Sequence, residues 1–208
     1  ALIQVIQKNN DQDVYIRHAA VLALSRIGTA EKMASFKNNA NKSLRIAAVL
    51  VLRRLKSPLV AEFLHDSDEY IVAEAARAIN DDESIPEALP ALANVLNETK
   101  TTSEVILRRA INACLRVGGK GEIQTLVRFA ERNDISDVVL AEAIATLGSW
   151  ANPSLMDRVD GRYRGVLERN ATDVASIIEP KIEKILKSTN PEVLISTARL
   201  LGELNLKG

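Results

Sequence analysis

Two histidines, one cysteine and a run of alternating acids and arginines are the side chains of this 208-residue sequence whose types and spacing could support chemistry. His18 and His65 are far apart, and neither stands in a metal-ligand pattern such as His-Glu-x-x-His, so they read as solvated or capping histidines. Cys114, between Ala113 and Leu115 on an apolar helical face, reads as a small core residue, and a single cysteine cannot close an internal disulfide. Gly118-Gly119-Lys120-Gly121 has the composition of a phosphate loop, yet it follows a predicted helix rather than a strand and lacks the Lys-Ser/Thr ending, so it reads as an inter-helix turn. Spacing alone assembles no Ser/His/Asp or Cys/His set. The reading is of a segment without catalytic, metal-binding or cofactor-binding residues, and not of an enzyme.

The charged run Asp157-Arg158-Val159-Asp160-Gly161-Arg162-Tyr163-Arg164 supports two compatible readings. In one, Arg158, Arg162 and Arg164 contact an anion or a partner domain, with Trp150 and Tyr163 as interface anchors of the kind that dominate protein contacts. In the other, Asp157 and Asp160 pair with those arginines and pin an irregular loop to its support, with Trp150 buried beneath it.

The elements that must position this run come from repetition. Ile16-Arg17-His18-Ala19-Ala20-Val21-Leu22-Ala23-Leu24 returns 28 positions later as Leu44-Arg45-Ile46-Ala47-Ala48-Val49-Leu50-Val51-Leu52, and 27 positions further on as Ile71 to Ile79. Such a period belongs to stacked helical repeats. Asp13, Asn41 and Asp68 precede the three copies and suit the N-cap, where a short side chain accepts from unpaired first-turn amides. Each copy is Ala-rich, apolar at helical spacing and free of internal Gly and Pro. Its alanines permit close approach of a neighbouring helix, and one copy cannot bury so broad an apolar face by itself, so copies must stack. Arg17 and Arg45, at equivalent positions, are expected to bond Asp or carbonyl groups at repeat junctions; Val72 stands where a third Arg would fall.

Along the chain, helices are predicted at 1–8, Ile16–Ile27, Ala30–Phe36, Leu44–Leu55, Pro58–Leu64 and Tyr70–Asn80, then Ile85–Leu96, where Pro90 either kinks the helix or marks its start. Glu104–Val117 follows a Ser103 cap, and then come Glu122–Arg132 and Val139–Leu147 with Ser136 or Asp137 capping. The period breaks from Gly148 to Asp173, an insertion holding Trp150, Pro153, Gly161 and Gly165. Ala175–Lys187, interrupted near Pro180, and Val193–Leu204, capped by Asn190, close the array. Glu74 and Glu142 recur at matching places, which marks repetition and not an acid and base pair. The expected architecture is one all-α domain over 1–208, a right-handed α-solenoid of about five to six helical pairs with a non-repeat insertion near 148–173. The apolar opening Leu2 to Ile6, without an initiating Met, leads us to expect a piece of a longer multi-domain chain with a sticky edge at that end.

Lys plus Arg equals Asp plus Glu at 27 each, so no global field draws in nucleic acid or an anionic membrane. No apolar run approaches the roughly 18 residues of a membrane span, and no signal peptide opens the chain. An aromatic content of 3% suits packing by Leu, Ile, Val and Ala.

With Asp13, Arg17 and Ala19-Ala20 repeated as Asn41, Arg45 and Ala47-Ala48, nearly the whole chain outside the insertion resembles the HEAT and HEAT-like repeat family. That resemblance speaks for the fold and hardly for function, since such solenoids serve many roles; the leading reading is a non-catalytic scaffold or spacer that docks protein partners or sister domains of the same chain. More narrowly, Leu147-Gly148-Ser149-Trp150-Ala151-Asn152-Pro153 with Asp157 to Arg164 resembles the HEAT segment of large exported bacterial proteins that join a sugar-dehydrogenase-like propeller to a haem c domain. That likeness implies an extracytoplasmic setting in which the segment positions redox modules, although the chain has no Cys-x-x-Cys-His motif. A nucleic-acid-binding HEAT-like role is the rival that the neutral charge disfavours.

Overall fold

The computed structural model describes residues 1–98, 100–170 and 172–206, and the regular elements among them are helices apart from one isolated antiparallel bridge, Met156 with Tyr163. The chain divides into two compact units, residues 1–92 and 93–208.

The first unit is three helical pairs. Helices α1 (Leu2–Asn9) and α2 (Val14–Ile27) form the first, α3 (Ala30–Ala34) and α4 (Lys42–Arg54) the second, and a 3₁₀ segment (Pro58–Phe63) with α5 (Glu69–Asn80) the third. The second helix of each pair starts as its cap requires. Asp13 accepts from the amides of Tyr15 and Ile16 at 2.8 and 3.3 Å, Asn41 from Leu44 at 2.9 Å, and Asp68 from Tyr70 at 3.0 Å. Ala47, Ala48, Ala75 and Ala76 are buried, so α4 and α5 pack through small side chains while Leu44, Leu52, Phe63, Ile71 and Ile79 fill the space around them.

The repeat arginines tie turns together. Arg17 donates to both Asp11 oxygens at 2.7 Å. Arg45 spreads its fork over two turns, giving Nε and Nη2 to Asp66 at 2.8 and 3.2 Å and Nη1 to the Asn39 carbonyl at 2.6 Å. The planar, two-nitrogen pairing of Arg45 with Asp66 is what Arg and not Lys provides. Two predicted α-helices turn out shorter or tighter. α3 ends at Ala34, before Phe36, and Pro58–Phe63 is 3₁₀. The short stretch between the Ser57 cap and the Asp66 turn leaves too little chain for α propagation to offset nucleation, and a six-residue 3₁₀ run spans it.

After a 3₁₀ turn at Pro86–Ala88, α6 (Leu89–Glu98) carries the chain from the first unit into the second. Pro90 lies in the first turn of α6 and so marks a start, where the missing N–H costs nothing. The second unit continues with α7 (Glu104–Val117), α8 (Lys120–Ala130), α9 (Asp137–Gly148), α10 (Thr172–Ile178), α11 (Ile182–Ile185) and α12 (Pro191–Leu204). The helix predicted over 175–187 is divided by a 3₁₀ turn at Glu179–Lys181 that contains Pro180. Helix α9 is the centre of this unit, packing on α7, α8 and α12. At its end Gly148 permits close approach, because a Cβ there would lie 3.3 Å from the Leu200 Cα of α12.

Cys114 is buried in α7, its thiol donating to the Ala93 carbonyl at 3.8 Å, and burial pushes its pKa up to about 12. The thiolate is the reactive form. Native protein at pH 8 is therefore expected to leave an aromatic disulfide reagent unconsumed, with one equivalent reacting only on unfolding. Rapid labelling of the native state would contradict this burial.

Candidate functional site

Between α9 and α10 the chain runs without helix from Ser149 to Asn170, and its geometry is set by one carboxylate; Ala171, inside the predicted insertion, lies outside the described residues. Asp157, 7% exposed, is the hub. Its Oδ1 accepts from the amides of Val159 and Asp160 at 2.8 and 3.2 Å, and its Oδ2 accepts from Arg164 Nε at 3.0 Å and from Asn112 Nδ2 of α7 at 2.9 Å. Its own amide donates to the Arg162 carbonyl at 2.7 Å, and its carbonyl receives the Gly161 amide at 3.0 Å. Arg164 extends the hub to Asp160 through Nη2 at 3.0 Å. Burial alone would push the Asp157 carboxyl up, but the Val159 amide, the Arg164 guanidinium, the Asp160 amide and Asn112 together hold it below the usual carboxylate range.

Two further arginines fasten the loop to helices. Arg158 forms a two-pronged pair with Glu142 of α9, at 2.6 and 2.9 Å, which raises the pKa of its guanidinium. Arg169 donates its amide to the Ala151 carbonyl at 3.0 Å and lays its guanidinium over the Trp150 ring, 5.1 Å from the centroid. It also covers the turn after α7. Gly118 there has φ +79°, a conformation glycine adopts freely, and a Cβ at that place would overlap the Arg169 guanidinium. Gly118 and Gly119 are thus the turn between α7 and α8, while Lys120 and Gly121, expected in the same turn, open α8, with Glu122 accepting from the Gly119 amide at 3.0 Å.

Of the aromatic residues singled out in the insertion, Trp150 lies beneath the loop at 2% exposed, and Tyr163 stands on its outer side at 67%. Leu155, Met156 and Val166 are also exposed, and the Met156–Tyr163 bridge sets those two residues opposite one another across a narrow hairpin, closed also by the Arg164 amide donating to the Leu155 carbonyl at 2.8 Å. Arg162 is exposed; Arg158 pairs with Glu142, and Arg164 with Asp157 and Asp160. Spacing did not point to Asn112 or Arg169. Asn112 did carry a signal, because an amide between Ile111 and Ala113 on a buried helical face requires a partner. Arg169 carried none.

The described residues of the second unit also line a cleft of about 350 Å³ among α8, α9, α11 and α12. Glu131 sits in its wall with Lys181 and Lys184 at 3.4 Å from its two oxygens. His18 and His65 are exposed, and among the described residues no three His, Cys, Asp or Glu side chains gather as a metal-ligand set. No described helix is long and apolar enough to cross a membrane.

No protein-family model and no curated protein matches this sequence. Among solved structures, it is similar to a designed armadillo repeat protein in complex with a (KR)4 peptide, at 20% identity and TM-score 0.54 over 98% of this chain and 99% of the other. The fold is an armadillo-type helical repeat. A computationally designed armadillo repeat protein for modular peptide recognition matches at 18% identity and TM-score 0.51, again over 98% and 99% of the two chains. An engineered protein matches at 16% identity and TM-score 0.52 over all of this chain and 58% of its own. At these identities the likeness is one of armadillo-type fold.

Proposed function

We propose that this chain is a non-catalytic scaffold that binds protein, as a separate partner or as a sister domain, and that the 149–170 loop is one of its contact surfaces. The observation that carries this is the contrast between the two sides of the loop. Underneath, Asp157, Arg164, Arg158 and Arg169 tie it to α7, α9 and the α7–α8 turn; Leu155, Met156, Tyr163 and Val166 are exposed, Met156 and Tyr163 as a cross-strand pair. Apolar groups on a loop already held in one conformation bind with little further ordering cost. The peptide recognition named for two of the similar designed proteins supports the same class of partner. Arg17, Arg45, Arg53, Arg77, Arg158 and Arg164 each have a carboxylate partner that a phosphate would have to displace, which favours protein over nucleic acid.

Within the armadillo-type fold, the Asp13/Arg17 and Asn41/Arg45 pattern favours a HEAT-like variant. The resemblance of 147–164 to the exported propeller and haem c proteins supports a setting in which the segment spaces redox modules. A full-length gene product with propeller sequence and Cys-x-x-Cys-His motifs beside this segment would support that setting, and a short free-standing reading frame would remove it.

The scaffold reading is tested by affinity capture from source-cell extract, with the native chain against Leu155→Ser/Tyr163→Ala. Both changed residues are exposed, so the variant is expected to match the native chain in circular dichroism. A protein captured only by the native chain, and rebinding it as a purified pair at least tenfold more tightly than it binds the variant, is the expected result. Equal capture by both would remove the loop from the proposal.

A further inference from the structure

Asp-x-Asp-x-Tyr occurs twice in the first unit, as Asp11-Gln12-Asp13-Val14-Tyr15 leading into α2 and as Asp66-Ser67-Asp68-Glu69-Tyr70 leading into α5. The second occurrence is occupied by the preceding repeat. Lys42 places Nζ 2.6 Å from Asp68 Oδ2 and 5.5 Å from the Tyr70 ring centroid, and Arg45 takes both oxygens of Asp66. Lys42 and Arg45 are three positions apart on one face of α4, so a single helix fills the whole motif. Lys37 to Glu62 at 2.7 Å, Arg53 to Asp82 and Lys56 to Glu83 run in the same direction, from cations of the second repeat to acids that follow it.

The first occurrence has the same groups without that helix. Asp13 spends Oδ1 on the Tyr15 and Ile16 amides, as Asp68 spends Oδ1 on Tyr70, which leaves Asp13 Oδ2 in the place where Asp68 receives Lys42. Tyr15 is 82% exposed against 45% for Tyr70. Asp11 holds Arg17 of its own helix. Below the motif, Ile16, Ala19, Ala23 and Ile27 follow at helical spacing along α2, with Ile16 and Ile27 exposed. Their equivalents at the start and middle of α4, Leu44, Ala47 and Val51, are buried against neighbours.

We propose that this face of α2 is a docking surface for a helical hairpin of a partner protein, one whose second helix presents a lysine and an arginine three positions apart. The lysine would meet Asp13 and the Tyr15 ring, the arginine would share Asp11, and apolar side chains between them would cover the stripe from Ile16 to Ile27. This surface is independent of the loop in the second unit. The occupant follows from charge complementarity already realised in the same unit, where α4 covers the equivalent motif.

The test supplies such a hairpin in cis, at high effective concentration. A second copy of residues 29–57 is joined ahead of Ala1 in the full chain, so that the duplicated α4 precedes α1 as the native α4 precedes Pro58. Amide exchange of α2 from Ile16 to Ala23 is expected to slow roughly tenfold relative to the unextended chain. Lys42→Ala with Arg45→Ala, made in the duplicated copy only, is expected to abolish most of that protection. So is Asp11→Asn with Tyr15→Ser on the receiving side, a change that rewrites the motif with residues equivalent to the tolerated Asn39 and Ser43. Unchanged α2 exchange in the extended chain would overturn the proposal, and so would equal protection by the doubly substituted copy. A dimer of the unextended chain that protects α2 by itself, and is lost in Tyr15→Glu, would also overturn it by making a second copy the occupant.

Discussion

Replacing Asp157 with Ala is expected to lower the stability of the second unit by about 3 to 5 kcal/mol, the range for removing one partner of a buried ion pair. The side chains concerned are 0% and 15% exposed for Asp157 and Arg164, so although Arg164 keeps Asp160 on Nη2, its Nε loses a carboxylate where it is poorly placed to recover hydration. Asn112 also loses the acceptor that pairs its buried amide. The readout is built in: Trp150 is the chain's single tryptophan and lies under this loop, so its emission should shift to the red as the loop lifts, before the helical circular dichroism falls. A pH dependence accompanies the pair. The folded-state pKa of Asp157 lies below its ordinary 3.8, so its stabilisation is complete above that value and is lost as pH falls through the folded-state pKa. Asp157→Asn keeps the shape without the charge and should start less stable at pH 7, with a flatter profile below about pH 4. A native chain and an Asn variant with parallel acid profiles would show that Asp157 is not the titrating anchor.

Trp150→Ala is the second large effect, with an expected loss of about 3 to 5 kcal/mol from removing a fully buried aromatic side chain. Two supports go together: the volume between the loop and its helices, and the ring face under the Arg169 guanidinium. Burial already lowers the pKa of Arg169 and leaves its Nη1 without a hydrogen-bond partner, so without the ring the group has reason to swing out and uncover Gly118. Trp150→Phe retains an aromatic face and should cost less than half as much. Urea denaturation followed by circular dichroism measures both variants, and a loss under about 1 kcal/mol for Trp150→Ala would mean that the space closes without it.

The helical array was legible because its signals are local and repeated. Asp13, Asn41 and Asp68 cap as short acceptors do, and the paired alanines of α4 and α5 are buried as their spacing requires. The break at 148 was legible for the opposite reason, since no period runs through Trp150, Pro153 and Gly161. Less was legible where partners come from distant sequence. Arg45 was expected to bond at a repeat junction, but nothing local shows that its fork spans Asn39 and Asp66. Acids and arginines alternating from 157 to 164 suggested pairing inside the run, yet Arg158 leaves it for Glu142 on α9. A pattern read along one strand of sequence registers periodicity, caps and breaks; it does not register which side chain a folded neighbour brings alongside.

The fastening of the loop changes how the second unit can come apart. A repeat array whose contacts link only adjacent elements can fray from an end one element at a time. Here Asp157 reaches Asn112 across 45 residues and Arg169 reaches Arg116 across 53, so the loop joins the end of α9 to a helix well before it. Peeling must therefore stop at α9 until those bonds break together, and the loop acts as a latch that makes unzipping from the carboxyl-terminal side a single barrier instead of a series of small ones. The same closure slows assembly, because contacts this far apart in sequence form only after the intervening helices are in place.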